Sequence, residues 1–249
     1  MSGAATHFDD QAAHYPESVG EDFTQAQKWA LIAAHASAGA LALDIGAANG
    51  RHALPFAAAG GRAVAVDPSP AMLARLADRA AAAGLADRVL ACGGGLPALP
   101  FAPGRFDLVY CFATLLLLPL RAQEAAIGEM AALLRPGGTL VVDVAGAHSL
   151  AIRYWRRYYR RRGLDGVFGQ TRGGMLALLV RHGLCVQAVH AHGLLSPLLL
   201  LPGLCGIAPL ARWIRGRPGG PGLDAAASRV LPDLAERWYF VARRDGGGD

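Results

Sequence analysis

A chain of 249 residues that is 53% hydrophobic and only 17% charged can bury the core of one large α/β domain or two small ones, which excludes a globally disordered protein. The formal net charge of +5 is almost entirely arginine, with Lys28 the only lysine, and comes with abundant alanine. Such a balance reflects compositional habit rather than a nucleic-acid footprint, so nucleic acid is not expected as a partner.

The N-terminal stretch MSGAATHFDDQAAHYPESVGEDF has no apolar core of a secretory signal, so a cytoplasmic location is expected. From Ala40 onward, β-like runs alternate with helical ones. The runs are Leu41–Ile45, Ala63–Asp67, Arg88–Cys92, Asp107–Cys111 and Thr139–Ala145. They are almost continuously apolar, as parallel strands covered on both faces require. Ser69-Pro70 opens the clearest helix, which stops at Gly84; a second spans about Arg121 to Leu134 and ends at Arg135-Pro136-Gly137-Gly138. A helix near Gly174–His182, a strand at Leu184–His192 and a last strand at Trp238–Arg244 follow. The β-α order implies a single doubly wound α/β domain.

Two segments, 147–173 and 193–232, interrupt this order and are expected as insertions at the ligand-facing edge of the sheet. The first carries RYWRRYYRRR, for which a solvated helix face, a patch for an anionic substrate or membrane, and an RNA strip compete, with the solvated face as default. The second begins with an uncharged leucine-rich stretch, Gly193–Ala211, broken by Pro197, Pro202, Pro209, Gly203 and Gly206. These breakers argue against a spanning helix; a lid over the substrate is expected, and peripheral membrane contact is not favoured. The four cysteines, Cys92, Cys111, Cys185 and Cys205, form no C-x-x-C pair, and the first three end or sit in apolar runs. They are expected to be buried free thiols, with no metal site.

The most informative segment is LALDIGAANGRH, in which Asp44-Ile45 runs into Gly46-Ala47-Ala48-Asn49-Gly50. Glycines at 46 and 50 permit a sharp turn close to a ligand, and ligands of open α/β sheets bind beyond the carboxyl ends of the strands. The second strand ends in Asp67, where a carboxylate can accept both hydroxyl protons of a ribose. The dinucleotide fingerprint G-x-G-x-x-G fails, since Ala48 and Arg51 occupy the second and third glycine positions. Asp44 would repel a pyrophosphate, yet suits a positively charged ligand.

On these residues the chain resembles the small-molecule class I S-adenosylmethionine (SAM)-dependent methyltransferases, notably the group that includes ubiquinone and menaquinone C-methyltransferases. The resemblance rests on F-D-x-x-A-x-x-Y at Phe8–Tyr15, D-I-G-x-x-x-G at Asp44–Gly50 and D-x-S-x-x-M at Asp67–Met72. Leu99-Pro100-Phe101, Phe106-Asp107 and Leu134–Gly138 complete it. It implies a Rossmann-like, mostly parallel seven-stranded sheet of order 3-2-1-4-5-7-6 with the last strand antiparallel. The N-terminal segment 1–38 would form a helical lid over a cofactor-binding core at 39–146.

By the same resemblance, Gly46, Ala48 and Gly50 would hold the methionine part of SAM. Asp44 would face its amino end, Asp67 would hold its ribose, and Pro68 is also expected among the cofactor-binding residues. Met72 would lie against adenine, with the loop Gly94-Gly95-Leu96 beside it. The backbone at Cys111–Ala113 would hold the amino group, and Tyr15 would contact the cofactor from the lid. Two departures stand out. The methyl of Ala48, where a middle glycine is usual, is tolerable if its φ is negative. The adenine loop also lacks the usual acid, because no Asp or Glu lies between Asp87 and Asp107.

Methyl transfer from a sulfonium needs alignment more than a base. His148, just after the fifth strand, is the candidate catalytic base. His190 and His192 share a strand face and are expected to be solvated or hydrogen-bonded rather than metal ligands. The expected function is methyl transfer to a small, apolar or aromatic metabolite. The alternative is a non-catalytic binding or partner subunit of the same fold, which the acid-free loop favours.

Overall fold

Every apolar run of the core becomes a strand because each is flanked by residues that end it. In the computed structural model, which describes residues 2–19, 23–201, 203–204, 207–217 and 220–246, the strands are β1 Leu41–Ile45, β2 Arg62–Asp67, β3 Val89–Gly93, β4 Phe106–Cys111, β5 Leu134–Gly146, β6 Leu184–His192 and β7 Arg237–Arg244. Their spatial order is β3-β2-β1-β4-β5-β7-β6, with β7 antiparallel to both neighbours and the β1–β5 pairs parallel. This is the order the resemblance implied. A two-residue strand, Gly169–Gln170, adds itself to the end of β5 and makes the sheet eight-stranded.

Helices α1 Ser2–Gln11 and α2 Phe23–Ala33 precede the sheet, and α3 Ala53–Ala58, α4 Pro70–Ala82 and α5 Leu120–Leu133 cross between its strands. The Ser69 hydroxyl caps α4 by accepting from Met72 N at 3.1 Å, with Pro70 at the first helical position. Successive strand residues face opposite layers. Leu43 and Ile45 pack with Ile127 and Met130 of α5, whereas Ala42 packs with Ile32, Phe56 and Leu76. Each fully buried side chain of this size contributes about 1.5–3 kcal/mol.

Both interruptions are helical. The first holds α6 Ile152–Arg160, whose Ile152, Trp155 and Tyr159 pack on Leu116, Ala145 and Val167; α7 Arg172–Arg181 follows, capped by Thr171. The second holds a 3-10 turn at Ser196–Leu200, α8 Ala208–Arg215 and α9 Leu223–Val230, which packs on β6. Buried Asp224 ties this segment down, accepting from Gly193 N, Leu195 N and Ser196 N at 2.7, 2.5 and 2.9 Å. No helix among the described residues is long and apolar enough to cross a membrane.

The cysteine expectation needs correction. Cys111 on central β4 is buried, but Cys92 is half-buried and Cys185 exposed. Both lie on the edge strands β3 and β6, where fewer neighbours cover a side chain. Cys205, Pro202 and Gly206 lie outside the described residues.

Candidate active site

Parallel register brings Ile45 of β1, Val66 of β2 and Cys111 of β4 level, so the chain leaves all three strands at one edge. The turn after β1 folds back onto β2, with Gly46 N and Ala47 N donating to Val66 O at 2.8 and 3.0 Å. Gly46 has φ +76, and a Cβ there would lie 1.9 Å from Thr114 Oγ1. Glycine is required on both counts. Gly46→Ala should therefore abolish ligand binding in the turn and lower the melting temperature by several degrees. Thr114→Ala in the same chain should recover part of the stability, because φ strain would persist. Unchanged melting of the single variant would refute the close approach.

Ala48 departs from expectation. Its φ is +47, so the condition for easily tolerating its methyl is not met. A left-handed alanine costs about 1–2 kcal/mol, and the cost is offset by Asp67, whose Oδ2 accepts from Ala48 N at 2.8 Å. Asp67 Oδ1 accepts from Ser69 N at 2.9 Å. Burial raises the Asp67 carboxyl, and these two N–H groups pull it back. Each oxygen keeps a further lone pair, so the carboxylate that shapes the turn can also accept two hydroxyls.

The same device recurs after β4. Ala113 has φ +57, and its N–H donates to Asp143 Oδ1 at 2.6 Å. Asp143 is fully buried, and its Oδ2 lies 3.2 Å from Arg237 Nη1. Burial alone would lower the Arg237 guanidinium, but the charges of Asp143 and Glu236 raise it. Neither residue stands out in the sequence reading. The available signal was a lone acid within TLVVDVA, since a carboxylate in a buried strand needs a partner.

Asp44, opposite Tyr110 in register, is buried, and its Oδ2 has no hydrogen-bond partner. Burial pushes its carboxyl up to about 8, against the Tyr110 hydroxyl, which lowers it. The His52 ring packs 5.1 Å from that of Phe112, and burial with nearby Lys28 and Arg51 pushes its imidazole down to about 3, so it stays neutral. Lys28, nearly buried on α2, stands over Phe112 at 5.6 Å.

The N-terminal segment closes over this cradle. Asn49 Nδ2 donates to Tyr15 O and Pro16 O at 3.2 and 3.3 Å, and Arg51 Nε donates to Pro16 O at 3.2 Å. Arg75 pairs with Glu17 at 2.7 Å. Asp9 of α1 meets the Ser69 hydroxyl at 2.5 Å and accepts from Ala71 N at 3.1 Å. Met72 is fully buried in a small cluster with Ala12 and Ala48, against which Phe8 and Tyr15 pack. Burial raises the Tyr15 phenol, with the charges of Asp67 and Asp44 adding to the rise and Arg51 lowering it. The carbonyls of Tyr15 and Pro16 and the carboxylate of Glu17 form this latch, and of these residues only Tyr15 was expected at the site.

Pro68 continues the tip of β2 between Asp67 and capping Ser69. Gly94 N donates to Asp67 O at 3.2 Å, Gly95 follows, and Leu96 is buried in the main core with Val66. The loop's far end is held by Glu129, which accepts from Ala98 N and Leu99 N. Burial pushes the Cys111 thiol well up, leaving it protonated, so any ligand contact there belongs to the backbone.

His148 is brought together with different partners. It is exposed and lines a cavity of about 270 Å³ with Gln170, Thr171, Arg172, Asp233 and Trp238. A neighbouring cavity of about 320 Å³ shares Arg172 and Trp238 and adds His190, Arg229 and His192. Leu194 and Leu199 are buried and line neither cavity. His192 Nε2 lies 2.5 Å from Thr24 Oγ1, joining α2 to the sheet edge, and burial with Arg229 lowers the His190 imidazole. Among the described residues no three His, Cys, Asp or Glu side chains could hold a metal ion.

Residues 42–138 match the family profile described as "Methyltransferase domain". The uncharacterized protein Rv1405c of Mycobacterium tuberculosis (strain ATCC 25618 / H37Rv) is 34% identical over 112 residues, 45% of this chain and 39% of that protein. The match thus spans about two fifths of such relatives. The [4+2]-cyclase SpnF superposes with a TM-score of 0.66 at 18% identity, over 99% of this chain and 95% of SpnF. Geranyl diphosphate methyltransferase in complex with SAM gives 0.63 at 17% identity, over 88% and 85% of the two chains. Magnesium protoporphyrin IX methyltransferase (ChlM) from Synechocystis PCC 6803, with bound SAH, gives 0.58 at 15%, over 98% and 84%. The core from β1 to the start of β5 is therefore similar to a methyltransferase domain, and the whole chain takes the Rossmann-like methyltransferase fold.

Proposed function

We propose that the protein binds SAM in the cradle between Gly46, Asp67 and Ala113 and transfers its methyl group to a small apolar or aromatic metabolite. The reading is supported most by one observation: a glycine turn without room for a side chain lies beside two buried acids, one of which, Asp44, has an unpartnered oxygen. That donor set suits a nucleoside carrying a cationic tail. When bound, SAM supplies an activated methyl on a sulfonium. The chain's own residues bind and orient: Asp67 accepts ribose hydroxyls, Asp44 faces the amino end, Met72 backs the adenine, and Tyr15 with the lid keeps water out. The backbone of the Gly94–Leu96 loop would serve in place of the missing acid. His148 would take a proton if the acceptor is a hydroxyl.

The fold alone does not decide this, since SpnF, a cyclase, shares it. Calorimetric titration with S-adenosylhomocysteine should give a saturable signal and NADH none. Absence of binding at high micromolar ligand would overturn the reading and favour a non-catalytic subunit.

Asp44 makes the binding pH-dependent. With its carboxyl at about 8 it is largely protonated at pH 6, and a cationic ligand group favours the ionised form. Binding should release a proton, and affinity should rise from pH 6 to 8. Heats measured in two buffers of different ionisation enthalpy test this; identical heats at pH 7 would remove Asp44 from ligand contact. In the free protein the sign is opposite. The raised value is a contribution present below the ordinary carboxyl range and lost as pH climbs toward 8, because the unfolded chain releases its proton first.

A further inference from the structure

Outside the cofactor cradle, the two insertions share an unusual surface. Segment 147–173 carries seven arginines against one aspartate, and segment 193–232 four arginines against one aspartate. Their combined charge is +9 on a chain of net +5, so the remainder is acidic. Nine of the thirteen exposed large apolar side chains among the described residues also fall in these segments, which make up 67 of the 249 residues.

The local structure explains why both features point outward. In α6 the residues at helical spacing, Ile152, Trp155 and Tyr159, face the core. The opposite face presents Arg153, Arg157, Arg160 and Arg161 around an open hollow of about 650 Å³. At its N-terminal end Leu150 and Tyr154 stand 67% and 45% exposed. In α8 Ile214 is buried, while Trp213 is 62% exposed between Arg212 and Arg215. Leu198, Leu201 and Ile207 lead into it, all exposed. The two insertions leave the sheet side by side at Glu236, whose carbonyl accepts from Gly146 N at 2.9 Å and whose N–H donates to Gly193 O at 3.2 Å.

We infer that this surface seats on an anionic phospholipid bilayer, with arginines at the headgroups and Leu150, Tyr154, Ile207 and Trp213 reaching the acyl boundary. Arginines attract an anionic leaflet, and exposed aliphatic and indole groups gain by entering it. Nucleic acid would satisfy the arginines but leave the aliphatic side chains in water. A second copy would bring like charges face to face.

Flotation of the full chain with vesicles tests this, without cofactor, so its outcome is independent of the methyl-transfer reading. Binding to phosphatidylcholine vesicles containing phosphatidylglycerol should exceed binding to phosphatidylcholine alone at least tenfold and weaken with salt. The variant Arg157→Glu/Arg160→Glu/Arg161→Glu should bind about 100-fold more weakly, at roughly fivefold per arginine. Leu150→Ser/Trp213→Ser should reduce what survives at high salt. Unchanged circular dichroism would show that both variants fold. Equal binding to the two vesicle types, no binding, or charge reversal without effect would overturn the inference. So would tighter binding to a short RNA duplex that the Leu150→Ser/Trp213→Ser change leaves untouched.

Discussion

Replacing Asp67 by alanine is expected to reduce S-adenosylhomocysteine affinity by at least 100-fold, while Asp78→Ala on the exposed face of α4 leaves it unchanged. Asp67 is 6% exposed at the tip of β2, and each oxygen already accepts a backbone N–H, from Ala48 and Ser69. A ribose would use the remaining lone pairs, and a hydrogen bond to a charged group contributes about 1.5–3 kcal/mol. Two such bonds correspond to roughly 10²–10⁴ in affinity. The substitution also frees Ala48 from the contact that holds it at φ +47, so the turn itself should loosen. Asp67→Asn, with one acceptor oxygen, should fall between wild type and alanine. Calorimetry reads all three, and equal affinities for Asp67→Ala and Asp78→Ala would eliminate Asp67 as the ribose acceptor.

Arg237→Met is expected to destabilise the protein by about 3 kcal/mol, at the low end for a broken buried pair because the arginine keeps 21% side-chain exposure while Asp143 has none. At about 2–4 °C per kcal/mol for a chain of this size, melting should fall by roughly 10 °C. The cause is the unpaired Asp143 carboxylate left in the sheet, not the lost contact itself. Arg237→Met combined with Asp143→Asn should therefore be more stable than Arg237→Met alone, since no buried charge remains. Because Asp143 also holds Ala113 at φ +57, both variants should bind S-adenosylhomocysteine more weakly. Thermal unfolding checks the order; a loss below about 1 kcal/mol for the single variant, or a double variant no better, would show that the pair does not bear on stability.

Much of this site was legible along the chain because its parts are local. The turn from Gly46 to Gly50 follows its strand directly, Asp67 ends the next, and Ser69-Pro70 caps the helix that carries Met72; each is set by backbone preferences over a few residues. Asp143 and Arg237 were not legible, being 94 residues apart and joined only because β7 lies antiparallel beside β5. The Thr24–His192 contact, across 168 residues, was hidden for the same reason. The sign of φ at Ala48 depends on a carboxylate from another strand, so the alanine gave no warning of it. Cys185 looked buried because its run is apolar, and only its place on the edge strand exposed it.

The amino-acid sequence by itself determined the alternation of strands and helices, the glycine turn after β1 and the acid that ends β2, because apolar periodicity and glycine freedom act over short stretches. The tertiary structure alone decided which distant charges pair, which atoms tie the N-terminal segment to the cradle, and that His148 faces an outer cavity. Those outcomes depend on strand order and on which side chains the packed layers force together, and no local spacing encodes either.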